Sequence, residues 1–433
     1  MNTLLARPSR QAKCCPARAC STKDVPSRHK FWLALVIAIG AFCAETGQAL
    51  AGYLQTNLVS DIPGLATITD SSLVNPWGVS RTTTSPFWIS DQGTNLTNLW
   101  SVTGPTTVTK VTAVNPPTGN IAIPTSGAGP AQGPTGQVSN QNPSPLSFPV
   151  GNGGNGGSAH FIFANLNGTI SAWDTGPTAF IQVTTPGANY SGLAINQAQT
   201  QLYAANQAGT GSINVFNSSF APVSLGAGAF ATPSAISALG LVPFNVQDIA
   251  GKVYVTYAPS GLAAQRGATP GMGAVAIFDE SGNLLQTIIG SQLAAPWGVA
   301  LAPASFGEFA GDLLVGNFSF VASEINAFDP TTGAFQGTIP VDPGSGNTPG
   351  GLWSLQFGIG GMNGAPNTLY FTDGIDGETH GLFAALSVAA VPEPSTLALL
   401  GAGVLSLCAS RWRRSARPGA GLAVTTWRRT RRT

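Results

Sequence analysis

The chain has 433 residues, of which 43% are hydrophobic and 9% charged, and a formal net charge of +1. That near-neutral total hides a segregation. Residues 1–51 carry seven Lys/Arg and residues 391–433 carry eight, whereas residues 52–390 hold four (Arg81, Lys110, Lys252, Arg266) against fifteen Asp/Glu, a formal charge of 4 − 15 = −11. An acidic body excludes nucleic-acid binding, which needs Lys and Arg on the folded surface. All five cysteines (Cys14, Cys15, Cys20, Cys43, Cys408) lie outside it, which excludes disulfides and thiolate metal sites there.

Residues 1–30 are basic, Phe31 to Ala44 are almost wholly apolar, and Ala49-Leu50-Ala51 places small residues at the two positions a signal peptidase reads. This is the pattern of a secretory signal over residues 1–51, with Ala49 and Ala51 as the cleavage-site residues. The apolar run is too short for a membrane span, and the arginine pair of twin-Arg export is absent from this segment.

Residues 52–390 are rich in Gly, Pro, Ser, Thr, Asn and Val, without a long stretch of helical period, and read as short strands joined by turns. A Pro-x-Gly-x-Val-like phrase recurs at Pro76-Trp77-Gly78-Val79, Pro134-Thr135-Gly136-Gln137-Val138 and Pro296-Trp297-Gly298-Val299, with relatives at Ser191-Gly192-Leu193, Pro243-Phe244-Asn245-Val246 and Gly350-Gly351-Leu352-Trp353. Marked at Gly78, Gly136, Gly192, Asn245, Gly298 and Gly351, the spacings are 58, 56, 53, 53 and 53. Each copy continues with a second apolar run and a third that carries an aromatic: Trp100, Trp173, Phe216, Phe278, Phe328 and Phe383. Turns such as Asp329-Pro330-Thr331-Thr332-Gly333 follow, and most copies add a fourth run.

Six copies of four strands predict an all-β, six-bladed β-propeller. The last copy lacks a fourth strand, and Tyr53 to Val59 can supply it, which closes the ring and removes two sheet edges. The strand-three aromatics are expected to pack blade against blade. Val114 to Ser158, rich in Pro and Gly, reads as a surface excursion around the first strand of blade two.

Candidate chemistry in the body is sparse. His160 and His380 fall in different blades and read as structural. The second strand ends in Asp or Asn in five copies (Asp91, Asn165, Asn206, Asn317, Asp373), either as turn caps or as a ring of oxygens on one face. Calcium is the one cofactor for which candidates exist: Asp373, Asp376 and Glu378 form the densest acidic cluster, without full EF-hand spacing. Trp77, Trp297 and Trp353 begin innermost strands, where aromatic rings either seal the channel or stack on sugars. No nucleophile-elbow motif sits in a strand–turn–helix context.

The chain ends in a composite signal: Pro392-Glu393-Pro394, an apolar run from Ser395 to Ser410, then Arg411, Arg413 and Arg414. The apolar run is expected to form a membrane helix whose basic end stays cytoplasmic, and the Pro-Glu-Pro presents extended backbone at the outer interface. Residues 391–414 closely resemble a PEP-CTERM sorting tail. That resemblance implies a Gram-negative envelope, processing by an exosortase-type enzyme, transient anchoring in the inner membrane, delivery to the cell surface or medium, and often an exopolysaccharide-producing host. Residues 415–433, a basic cytoplasmic extension, depart from the usual ending. The body resembles an uncharacterised propeller family and NHL-type repeats, which supports the fold and transfers no activity.

The leading functional expectation is an exported, envelope-sorted, non-catalytic propeller that binds a matrix or envelope component such as exopolysaccharide. The alternatives are a calcium-dependent propeller hydrolase or lyase and a structural matrix scaffold.

Overall fold

The computed structural model describes residues 52–389 apart from 113–117, 126–131 and 142–146, together with helical residues 403 and 405–407. The signal with Ala49 and Ala51, the sorting residues Pro392, Glu393, Pro394, Arg411, Arg413 and Arg414, and the extension 415–433 lie outside the described residues. No helix among the described residues is long and apolar enough to cross a membrane.

Six antiparallel sheets follow one another as the blades of a propeller. Counted from the innermost strand, blade one is Pro76–Ser80, Phe87–Asp91, Leu96–Val102 and Val108–Lys110, and Asn120–Ala122 from the predicted excursion also pairs with its third strand. Blade two is Gln137–Ser139, Phe161–Ala164, Thr169–Trp173 and Phe180–Thr184. Blade three has three strands, Tyr190–Ile195, Gln201–Asn206 and Ser212–Asn217. Blade four is Leu241–Ile249, Lys252–Pro259, Ala274–Asp279 and Leu284–Ile288, and blade five is Pro296–Leu301, Leu313–Asn317, Glu324–Phe328 and Phe335–Pro340. Blade six is Leu352–Phe357, Leu369–Asp373 and Leu382–Val388, completed by Tyr53–Ser60 in register from Tyr53 opposite Val388 to Ser60 opposite Leu382. The ring therefore closes with the first strand of the body, as the missing fourth run predicts.

The core lies mainly between neighbouring blades. Trp100 is fully buried with Phe87, Tyr370 and Phe383 between blades one and six. Trp173 meets Trp88 of blade one at 4.8 Å between ring centroids. Phe278 of blade four and Tyr203 of blade three pack edge-on against Phe230 at 5.3 and 5.2 Å. The expected role of the strand-three aromatics holds in these blades.

The sixth copy departs from the marker spacing. Pro76 opposes Asp91, Pro296 opposes Asn317 and Leu352 opposes Asp373, so Ser354 stands where Gly298 stands in blade five. Likewise Leu386 opposes Leu369 as Phe328 opposes Leu313, so the counterpart of Phe328 is Leu386 rather than Phe383. Both markers slip by three residues because the loop entering blade six is longer, and Gly350-Gly351 belongs to that loop.

Candidate functional site

The innermost strands converge on the propeller axis and divide it into a plug, a funnel below it and a closed face above. At the marker glycines adjacent strands nearly touch. A Cβ on Gly136 would lie 2.4 Å from Leu193 N, and one on Gly298 would lie 2.2 Å from Trp353 O. This approach explains the recurring glycine, because any side chain would hold the inner strands apart.

In blades one, four, five and six the residue before the marker position packs at the axis. Trp77 stacks on Trp353 at 3.5 Å, Trp297 stands edge-on to Trp353 at 5.6 Å, and Phe318 lies 4.3 Å from Trp353. The indole nitrogens of Trp297 and Trp353 donate to Ser191 O and Asn75 Oδ1, each at 3.0 Å. The three tryptophans are 4%, 3% and 0% exposed, so their rings pack on one another and seal the axis, leaving no open face for a sugar to stack on.

Beyond the glycines the strands splay into a cavity of about 260 Å³ that opens at the far ends of the inner strands. Its wall is polar: Ser80 and Arg81 from blade one, Gln137, Ser139 and Gln141 from blade two, Gln197 and Gln199 from blade three, Gln247 and Asp248 from blade four, and Gln356 from blade six, with Trp297 among the lining residues. Gln137, 6% exposed, donates through Nε2 to Gly78 O at 2.8 Å and Trp88 O at 2.7 Å, which fixes the amide and leaves Oε1 without a partner. Ser80, 7% exposed, has an unpartnered Oγ. Arg81 donates from Nη2 to Phe357 O at 2.8 Å while its Nε has no partner, and burial lowers its pKa to about 10. In blade four, burial, reinforced by the charge of Glu280, raises the Asp248 carboxyl to about 6 against the hydrogen bonds from Gln197 and Gly251; its Oδ1 accepts from Gln197 Nε2 at 2.5 Å and its Oδ2 is unpartnered.

The opposite face is closed. Arg266 of blade four donates to Glu378 Oε2 of blade six from Nε at 2.8 Å and from Nη2 at 2.5 Å, and Asn75 Nδ2 donates to Glu378 Oε1 at 3.2 Å. Burial raises the Glu378 carboxyl despite Arg266. Asp376 accepts from Thr348 N–H at 2.6 Å and from its hydroxyl at 3.0 Å. Of the calcium candidates, Asp376 and Glu378 serve separate protein donors, and no group of three His, Cys, Asp or Glu residues that could hold a metal is found among the described residues.

Of the oxygens that end strand two, those of Asn206 and Asn317 are bonded, whereas Asn165 Oδ1, like carboxyl oxygens of the two Asp residues, is buried without a partner. Asn206 Oδ1 accepts from the N–H groups of Asn189 and Ala208 at 2.9 and 3.1 Å; Asn317 accepts from Ala294 N–H at 3.0 Å and donates to Gln292 O at 2.8 Å. These are turn caps. Asp91 and Asp373 occupy the same ladder position fully buried, with both Asp91 oxygens and Asp373 Oδ1 unpartnered. Burial drives both carboxyls well above the usual range, with the charges of Asp70 and Glu378, respectively, adding to the effect. His380 Nδ1 lies 2.7 Å from Asp61 Oδ2, and His160 is exposed in blade two, so the histidines stay apart.

Residues 390–414 match the PEP-CTERM protein-sorting motif family. The chain carries this sorting motif at its C-terminus. The motif marks an exported protein, sorted through the Gram-negative envelope and processed by exosortase. No curated protein matches the chain. Among solved structures, a Xanthomonas campestris gluconolactonase is 18% identical over 53% of this chain and 82% of its own, with a TM-score of 0.32. Kuenenia stuttgartiensis hydrazine synthase is 12% identical over 72% of this chain and 80% of its own, with a TM-score of 0.40. Likeness at this level says nothing about activity.

The funnel residues were not singled out by sequence motifs. A signal for six of them exists: Ser80, Arg81, Gln137, Ser139, Gln247 and Asp248 fall one to three residues after a marker, where the sequence turns polar, and Gln356 falls two after Ser354, the marker's structural equivalent in blade six.

Proposed function

We propose that this exported, sorted propeller is a non-catalytic binding module whose polar funnel takes an extracellular matrix or envelope component, with exopolysaccharide as the ligand. The observation that carries the reading is an open cavity whose wall carries Ser, Gln, Arg and Asp side chains from five blades. Sugar hydroxyls, which both donate and accept, match such amide, hydroxyl and charged groups. A glycan array and an exopolysaccharide pull-down with the processed protein test the reading; two empty results sink it.

Export in this proposal begins with signal peptidase cutting after Ala51. The Ser395–Ser410 helix then holds the chain in the inner membrane, with Arg411, Arg413 and Arg414 on the cytoplasmic side, until processing near Pro392-Glu393-Pro394 releases the body to the surface or medium. Mass spectrometry of the native C-terminal peptide checks this order, and a peptide that retains Arg411 refutes it.

A second reading, a calcium-dependent hydrolase or lyase, draws on the buried unpartnered carboxyls of Asp91 and Asp373 on the opposite face. It requires a melting temperature that rises with calcium and falls with chelator.

A further inference from the structure

We infer that the funnel recognises the end of a glycan chain through a terminal sugar bearing a carboxylate, a uronate. This inference rests on the proposed glycan-binding role and specifies its ligand. The charge argument starts from the four body cations. Lys110 pairs with Asp70 and Arg266 pairs with Glu378, and Lys252 is exposed. Arg81 is the one sunk into a cavity wall without an acidic partner among the described residues; burial alone depresses its pKa. A guanidinium on a cavity wall with no protein carboxylate beside it is a site for a ligand carboxylate, since charge-assisted bonds are about twice as strong as neutral ones.

Three further features narrow the ligand. The amide side chains on the same wall, among them Gln141, Gln197, Gln247 and Gln356, suit the hydroxyls carried on the same ring as the carboxylate. Asp248 stands on blade four, across the ring from Arg81 on blade one, and turns the carboxylate toward Arg81. The cavity is blind, because the axis behind it is filled by Trp77, Trp297 and Trp353. Its volume of about 260 Å³ falls just below the range of drug-sized pockets, about 300–1,000 Å³, which suits one sugar ring and forbids a chain from threading through.

Isothermal titration of the processed protein with glucuronate, glucose and acetate, in low-salt buffer at pH 7, tests the inference. Glucuronate is expected to bind about tenfold tighter than glucose or acetate, as a charge-assisted contact added to hydroxyl contacts requires. Arg81→Gln should remove that preference, whereas Arg81→Lys should keep most of it. An oligosaccharide with the uronate at its end should bind, and the same oligosaccharide with the uronate only in its interior should not. Equal affinity for glucose and glucuronate overturns the uronate inference and leaves glycan binding standing. Acetate binding as tightly as glucuronate shows a bare carboxylate site and overturns the sugar component. Failure of every glycan, on the array as well, removes the underlying functional reading.

Discussion

Replacing Asp91 with Asn tests the chemistry of the closed face. Asp91 is fully buried, neither carboxyl oxygen has a partner, and burial raises its pKa well above the ordinary 3.8, with Asp70 adding to the shift and Lys110 opposing it. The folded protein thus keeps this acid protonated at pH values where the unfolded chain has ionised it. Below pH 3.8 both states hold the proton and there is no penalty. As pH rises above that value, folding must take up a proton, and each pH unit up to the raised folded pKa removes about 1.4 kcal/mol of stability.

Asparagine has the same shape without a proton to hold, and Asn317 already occupies the equivalent position in blade five with both amide groups bonded. Asp91→Asn is therefore expected to fall within about 0.5 kcal/mol of the parent at pH 4 and to exceed it by about 1–3 kcal/mol at pH 8. In a body of this size that gain raises the melting temperature by about 2–4 °C. Urea titrations at the two pH values give the difference directly. A variant less stable than the parent at pH 8 would show that the carboxylate is ionised and held by a cation, and the neutral-acid argument would fall.

Trp353→Ala should destabilise by about 3–5 kcal/mol, because a fully buried ring that stacks on Trp77 and meets Trp297 and Phe318 leaves a cavity on the axis; a loss under about 1 kcal/mol in urea melts would show that the plug is loosely packed. Gly298→Ala should cost about 1–3 kcal/mol, since its Cβ would meet the backbone oxygen of Trp353, which cannot swing aside as a flexible side chain can; an unchanged urea midpoint would refute the close-approach reading. Chelator is expected to move the melting temperature by less than about 1 °C, because Asp376 and Glu378 already have protein partners; a larger fall, reversed by calcium, would favour the calcium-dependent reading.

The ring of blades was legible because a propeller repeats its local physics. Each copy must bring a strand to the axis at a glycine and bury an aromatic against the next blade, and both needs recur as residues at a near-fixed period. The reading slipped at Gly351 and Phe383, where a longer entry loop moved the blade while nearby residues of the right type imitated the marker. Trp77, Trp297 and Trp353 read from the sequence as beginning innermost strands, but whether they line or fill the axis depends on ring-to-ring distances that repeat spacing does not encode. The acidic cluster shows the same dependence on geometry. Asp373, Asp376 and Glu378 are close in sequence, yet the left-handed backbone at Asp376 and Gly377 turns successive side chains toward different neighbours. The funnel was hidden because its residues come from five blades, so it has no local motif.

Charge segregation connects the tail to the funnel. If both ends are removed, fifteen of the nineteen basic residues leave with them and the body is left with a formal charge of −11. Such a body repels polyanions at long range, so an acidic glycan gains nothing from general electrostatic attraction. Recognition of a uronate then has to be local, by a cation held within a polar wall where water and salt screen it less than at the surface. Arg81 meets that condition and Lys252, exposed, does not. The same reasoning sets the expected salt dependence. Association of glucuronate should slow little between 50 and 200 mM salt, roughly a Debye-length change of 14 to 7 Å. A steep decline in affinity over that range would place the contact at an exposed cation such as Lys252 rather than at Arg81, and the funnel would lose its claim to the ligand.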